Sequence, residues 1–188
     1  GGPMMLGPGF KNVEGEIEGD ERKPVVWSVR GEYQTRPDGS WSKQGEFGFK
    51  FRPWPTVNIE IGPEYQHEFV SAQWVLGVTD PAAVEMYGRR YVFAGLDQTE
   101  ISFTTRFDVI LSPRMSLQMY LQPLLSTGTY TGFKEAAAPR TYDFLTYGQD
   151  TGTINYDADA GAYLVYPGPG GTGNPFLIPN PDFNYTSL

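Results

Sequence analysis

The chain lacks cysteine altogether, which excludes a disulfide framework and a thiolate metal site. It also lacks the run of about 18 apolar residues that a transmembrane helix needs. Helical periodicity is scarce as well, whereas the 23 Gly and 16 Pro residues mark many turns. These features together predict an all-β chain.

Basic residues are fewer than acidic residues in this chain. The chain has 14 Lys and Arg residues against 22 Asp and Glu residues, which gives a net charge of -8. A nucleic-acid partner is therefore not expected, because binding to phosphates needs a basic stripe. Electrostatic docking on anionic lipid headgroups is disfavoured for the same reason.

Both ends of the chain lack the features of a natural terminus. Gly1–Met5 has neither the charged region nor the apolar region of a signal peptide. At the other end, Phe183–Leu188 has the pattern of a strand that is only beginning. We therefore expect the chain to be a fragment of a longer protein.

What the chain contains instead is one-for-one alternation of apolar and polar residues. In Met115–Gln122, for example, Met and Leu alternate with Ser, Gln and Tyr. Because strand side chains point alternately to two faces, such a stretch has one apolar face and one polar face. The alternating stretches are 25–36, 41–52, 57–66, 101–109 and 115–125. A soluble strand usually has about 5–6 residues, whereas a tilted transmembrane strand needs roughly 9–11, which these stretches reach.

Short turns and long connections follow each other along the chain. The short turns are Pro53–Pro55 and Ser112–Arg114, and the long connections are 70–90 and 127–180. Outer-membrane barrels show this asymmetry between short periplasmic turns and long external loops. It requires Tyr91–Leu111 to be one long strand, and a turn at Asp97–Glu100 is the alternative.

Three segments follow from this pattern. Residues 1–24 are a lead-in segment, and residues 25–126 form antiparallel transmembrane-type β-hairpins. Residues 127–188 form a long external loop that ends in the start of a further strand. Within that loop, Thr153–Tyr156 and Ala162–Tyr166 are predicted to pair as a small hairpin.

The predicted fold is a set of antiparallel up-and-down hairpins of a transmembrane β-barrel, incomplete in this chain. A soluble β-sandwich, with the apolar faces packed in a core, is the alternative. Strand length, loop asymmetry and aromatic residues near strand ends favour the barrel, since aromatic girdles mark the two membrane interfaces. The barrel predicts that six apolar side chains share one lipid-facing surface. They are Phe47, Phe49, Ile59, Phe107, Leu117 and Met119.

Several short strings, taken in order, carry a family resemblance. They are Asp20–Val25, Gly62–Tyr65, Gln73–Val75, Tyr91–Ala94, Leu96–Thr99, Leu117–Pro123, Phe133–Glu135, Asn180–Asn184 and Ser187–Leu188. Together they resemble the C-terminal outer-membrane barrel region of a family of large bacterial envelope proteins of unassigned function. Those proteins carry an N-terminal carbohydrate-binding-like module, which this chain lacks, as it lacks the final strands expected after Leu188.

The resemblance implies a location in the outer membrane of a Gram-negative-type bacterium. It also implies a role as the membrane anchor or pore of a larger envelope protein that handles glycans or other solutes. The expected partners are outer-membrane lipid and a glycan or small solute, with the oligomeric state left open. The alternative function is a soluble secreted carbohydrate-binding module. The aromatics of the external loops can stack on sugars or can form the core of the loop, and they are Trp74, Tyr142, Phe144, Tyr147, Tyr156, Tyr163 and Tyr166.

Catalytic chemistry is not expected of this segment, and the resemblance supplies no catalytic residue. The single histidine, His67, has no nucleophile arranged near it in sequence and is interpreted as a polar residue at a strand end. Glycosidases need two carboxylates across a cleft. Glu60, Glu64 and Glu68 fall on one strand face, which a solvated lumen wall explains more simply.

One spacing suggests a metal. Asp157 and Asp159, followed by Gly161, have the carboxylate spacing that begins many calcium loops, and Asp150 can add a ligand. The later Glu of the full loop signature is missing. A turn rich in Asp and Gly is the competing interpretation. No other cofactor is expected.

Overall fold

The computed structural model describes Met5 and residues 7–188 and is all-β. The strands are β1 (Lys11–Glu18), β2 (Val25–Thr35), β3 (Trp41–Trp54), β4 (Val57–Thr79), β5 (Arg89–Ser112), β6 (Met115–Leu121), β7 (Leu124–Ala136), β8 (Phe144–Thr146), β9 (Thr153–Asp157), β10 (Ala162–Tyr166), β11 (Phe176–Pro179) and β12 (Phe183–Ser187). Single 3-10 turns lie at Val84–Met86 and Pro169–Gly171. No helix in the described part of the chain is long and apolar enough to cross a membrane.

The main sheet is an up-and-down antiparallel meander. Strands β1 to β5 pair in chain order, β5 pairs with both β6 and β7, and β12 pairs with β7. Strands β6 and β7 lie in one line beside β5, since Thr105 pairs with Leu121 and Ile101 with Leu125 in the same register. The line is interrupted at Pro123, which has no N–H to donate, although its carbonyl accepts the N–H of Phe103 at 3.1 Å.

Between the turns at the lower end and the register shifts near the upper end, antiparallel pairing brings odd-numbered residues of β1–β7 opposite odd-numbered residues. Val29 pairs with Phe47, and Ile59 pairs with Phe107, which in turn pairs with Met119. The odd-numbered side chains therefore form one apolar face, and the even-numbered side chains form the opposite, polar face. The prediction that the six apolar markers share one face is confirmed, and none of the six is buried. The sandwich core that would have covered them is not present among the described residues.

The sheet is open, with β1 and β12 at its two edges. Residues 7–188 thus form an antiparallel all-β sheet that is not closed into a barrel. The predicted long strand is confirmed, because β5 passes through Asp97–Glu100 without a turn.

The buried core lies at the upper end of the sheet, defined here as the end where β4 leads to β5 and β7 leads to β8. There a second sheet, in the order β11-β10-β9, covers the main sheet. The predicted hairpin of 153–156 with 162–166 is confirmed as β9 and β10, to which β11 adds a third strand. The core residues are Val92, Ala94, Phe133, Tyr147, Val165 and Ile178.

Three expectations about secondary structure differ from the structure. The long loop predicted from residue 127 begins later, because β7 continues to Ala136. The predicted lead-in segment contains β1, whose alternation is short and interrupted by Gly15. The predicted irregular stretch 70–90 is ordered as strand up to Thr79. Register shifts at Val70/Gln73 and Trp74/Leu76 explain the last difference, since each inserted residue reverses the side-chain parity and hides the alternation.

Candidate functional site

The apolar face forms a band across the lower part of the sheet. From Val57 to Tyr65 it spans eight residue steps, about 26 Å along the strand at about 3.3 Å per residue. Large side chains in it are well exposed, including Leu117 at 52% and Phe103 at 41%. On the same face, the next row of cross-strand partners toward the upper end is mostly polar. Its members are Tyr33, Lys43, His67, Thr99 and Thr127. The structure therefore has an uncovered apolar band with a defined upper margin.

The polar face carries charged and amide side chains that contact one another across strands. Gln44 donates to Glu64 at 2.6 Å, and Arg30 donates to Glu14 at 3.3 Å. As predicted, the Glu60, Glu64 and Glu68 side chains share this face. Carboxylates dominate its upper half, and they are Glu14, Glu16, Glu32, Glu46, Glu64, Glu68 and Glu100. The face resembles a solvated wall more than a catalytic cleft.

A buried ion network holds the upper end together. Arg90 donates to Asp80 at 2.6 Å and to both carboxylate oxygens of Glu135 at 2.7 Å, while the Tyr147 hydroxyl donates to Glu135 at 2.9 Å. Asp80, Arg90 and Glu135 are each less than a tenth exposed. The bond from Arg90 lowers the pKa of Asp80, and burial raises the pKa of Tyr147. Each charge is thus paired in a site from which water is largely excluded.

A second network centres on Asp38 in the turn between β2 and β3. Its carboxylate accepts hydrogen bonds from the hydroxyls of Ser40, Ser71 and Tyr142 at 2.8–2.9 Å. Burial alone would raise the pKa of Asp38, but the hydrogen bonds from Ser71, Ser40 and Tyr142 together lower it. Since Tyr142 lies 104 residues away, this contact ties the segment before β8 to the turn between β2 and β3.

His67 marks the upper margin of the apolar band. Its Nε2 lies 2.9 Å from a carboxylate oxygen of Asp97, and its ring packs edge-on against Trp41 with centroids 4.8 Å apart. Lys43 and Thr99 are its cross-strand neighbours, but among the described residues the hydrogen-bond partner of its ring is the Asp97 carboxylate. The arrangement fits the interpretation of His67 as a polar residue near the end of an alternating stretch.

The residues predicted to bind calcium lie in the turn after β9. One carboxylate oxygen of Asp157 accepts the N–H groups of both Asp159 and Ala160, at 3.0 and 3.1 Å. Asp150 serves a different turn, where it accepts the N–H of Thr146 at 2.9 Å. Within the described residues, no group of three or more His, Cys, Asp or Glu side chains is placed to hold a metal. Calcium binding by Asp157 and Asp159 stays a prediction.

The loop aromatics divide into buried and exposed members. Tyr147 is buried in the core, and Tyr163 packs on Phe133 with ring centroids 4.6 Å apart. Trp74 and Tyr156 are about half exposed, at 51% and 52%. Tyr147, Tyr163 and Phe144 thus belong to the core of the upper end, whereas Trp74, Tyr156 and Tyr166 are exposed and remain available to a ligand.

Sequence reasoning missed the ion network. A signal was present, because Arg90 directly precedes the apolar string Tyr91–Ala94, and a charge beside a strand core usually has a partner. Its partner Glu135 lies 45 residues away, beyond the reach of local patterns.

Comparisons of the chain with protein-family models, curated proteins and solved structures found no match.

Proposed function

We propose that this chain is part of the wall of a bacterial outer-membrane β-barrel, which serves as the membrane anchor or pore of a larger envelope protein. The observation that carries the proposal is a single layer of sheet with an uncovered apolar band on one face and charges on the other. The proposed solutes are glycans or other small molecules outside the cell, for which exposed Trp74 and Tyr156 at the upper end are suitable contacts.

Lipid is the partner that fits the apolar band. Soluble monomers rarely expose a contiguous apolar patch of more than a few hundred Å². Here the exposed side chains run across neighbouring strands, as the ladder from Tyr65 through Ile101 to Leu125 illustrates. The band measures about 26 Å along the strand, and at the usual tilt of about 35–45° its height is about 19–22 Å, slightly less than the apolar height of about 25 Å in known barrels.

The polar face supports the same orientation. Charged side chains such as Glu46, Glu64 and Arg106 would be costly in contact with lipid but suit a water-filled interior. Short turns at Pro55–Thr56 and Pro113–Arg114 lie at the lower end, and the longest connections lie at the upper end. We therefore assign the lower end to the periplasm.

A soluble carbohydrate-binding module is the competing function. It would need a second layer over the apolar band, which residues 7–188 do not supply. Expression in a Gram-negative host of the larger protein that contains this chain distinguishes the two. We expect it to fractionate with outer membranes and to migrate differently on gels before and after heating. Recovery as a monomer from a detergent-free supernatant would contradict the proposal.

A further inference from the structure

We propose that the small sheet β9–β11 is an inward-folded constriction that narrows the lumen at its external end. This inference rests on the proposed barrel. It adds that the long connection after β8 does not extend away from the membrane but lies on the same face of the sheet as the lumen charges.

The parity of β5 supplies the first step. The strand has no inserted residue of its own in its ladder with β4, so Val92, Ala94 and Leu96 point to the same side as Gln98 and Ser102. That side is the polar face. At the upper end this face therefore changes from charged to apolar, and Val92 and Ala94 are completely buried.

The small sheet is what buries them. Val165 of β10 and Ile178 of β11 are completely buried in the same cluster as Val92 and Ala94. On the other side of the small sheet, Leu177 is 53% exposed. The small sheet thus packs one face on the main sheet and presents the other toward the space that the polar face borders.

Two hydrogen bonds hold the start of this segment, and both are made by Tyr147, which lies between β8 and β9 and packs in the same cluster as Val165 and Ile178. The Tyr147 hydroxyl reaches the buried Glu135–Arg90–Asp80 network. The N–H of Tyr147 donates to Phe133 of β7 at 3.0 Å. A segment fixed by an apolar core and by a buried ion network is a permanent part of the wall. It therefore reduces the diameter of the lumen at this level.

The test uses single-channel recording in planar lipid bilayers on the full-length protein that contains this chain, with any cysteine outside the chain replaced by serine. Because the described chain has no cysteine, Leu177→Cys gives one labelling position, and a polyethylene glycol maleimide is the probe. We expect labelling to lower conductance about twofold or more, as expected for bulk added to a pore lining. Tyr87→Cys is the matched control, since Tyr87 is 86% exposed in the turn between β4 and β5, and its labelling should leave conductance unchanged.

A second variant, Ile178→Asp, places a charge in the core under the small sheet and should raise conductance. Normal insertion with currents that neither labelling at position 177 nor Ile178→Asp alters would overturn the constriction. Equal block at positions 177 and 87 would overturn it too. Failure of the wild type to insert, seen as absence of heat-dependent gel migration, would instead refute the proposed barrel and with it this inference.

Discussion

A single glycine permits the pairing of the last strand. The ring of Phe183 lies where a side chain on Gly128 would be, and Leu96 Cδ1 would be 3.0 Å from the added carbon. We expect Gly128→Ala to lower the free energy of unfolding by about 1–3 kcal/mol through overpacking. Urea titration of the membrane-inserted protein measures this. Gly45→Ala is the control, because nothing lies within 4 Å of its added carbon, and equal losses in both variants would contradict the explanation.

Glu135 has more influence on stability than the surface ion pairs have. Glu135→Ala leaves Arg90 and the Tyr147 hydroxyl short of a partner in a buried site, and we expect a loss of about 3–5 kcal/mol. Arg22→Ala removes the exposed pair with Asp20, which solvent screens, and should leave stability nearly unchanged. Thermal unfolding followed by tryptophan fluorescence compares the two. If Glu135→Ala loses no more thermal stability than Arg22→Ala, water replaces the missing carboxylate as the partner of Arg90 and Tyr147, and the explanation is wrong.

Acid should loosen the upper end. The pKa values of Asp38 and Asp80 are both lowered from 3.8 in the folded chain. Their stabilisation is therefore fully present above the unfolded value and is lost as pH falls through the lowered folded values. The midpoint of urea unfolding should drop below about pH 4. The double variant Asp38→Asn, Asp80→Asn should flatten that dependence, and an unchanged slope would assign the effect to other carboxylates.

At the scale of the strand, adjacent residues should tolerate charge very differently. Phe103 and Thr104 are neighbours in β5 on the apolar and polar faces. Arginine on the lipid face costs about 2–4 kcal/mol near the bilayer centre, whereas a lumen position tolerates it. Phe103→Arg should therefore reduce the fraction recovered folded in outer membranes, and Thr104→Arg should not. The reverse order would place lipid on the polar face.

The strands of the band could be predicted from sequence because their alternation is purely local. In the alternating stretches between Val25 and Leu125, apolar residues lie on one face and polar residues on the other, so the polarity of each residue predicts the face on which it lies. The upper end could not be predicted in the same way. There two register shifts in β4 place Trp74 opposite Phe93, on the face of the odd-numbered residues, and the second sheet buries Val92 and Ala94 on the other face.

At the scale of the whole molecule, the missing information was long-range. The alternation identified Glu60, Glu64 and Glu68 as one face, which is the larger part of the candidate site. It could not show that β9–β11 folds back over that face. This depends on contacts such as Val92 with Val165 and Ile178, which join parts of the chain far apart in sequence. Hydrophobic pattern reports the side of a strand and does not report which later segment will cover it.

The polar face also has an uneven distribution of charge. Carboxylates predominate in its upper half, where Arg30 is paired with Glu14. Basic side chains, including Lys50 and Arg106, lie nearer the lower end. Rings of carboxylates favour cation passage through a pore. If this sheet forms part of a lumen wall, ions that enter from outside the cell first meet its acidic half. That half attracts cations.

We therefore expect a cation-selective current. In a potassium chloride gradient across a planar bilayer, the reversal potential should have the sign of the equilibrium potential of potassium, not that of chloride. Neutralising the wall with Glu64→Gln and Glu100→Gln should move it toward zero, because both side chains lie on the polar face in the acidic half. Glu21→Gln, in the exposed turn between β1 and β2, keeps the same chemistry outside that half and should leave the potential nearly unchanged. Chloride selectivity, or equal shifts from all three substitutions, would mean that these carboxylates do not line the path of the ions.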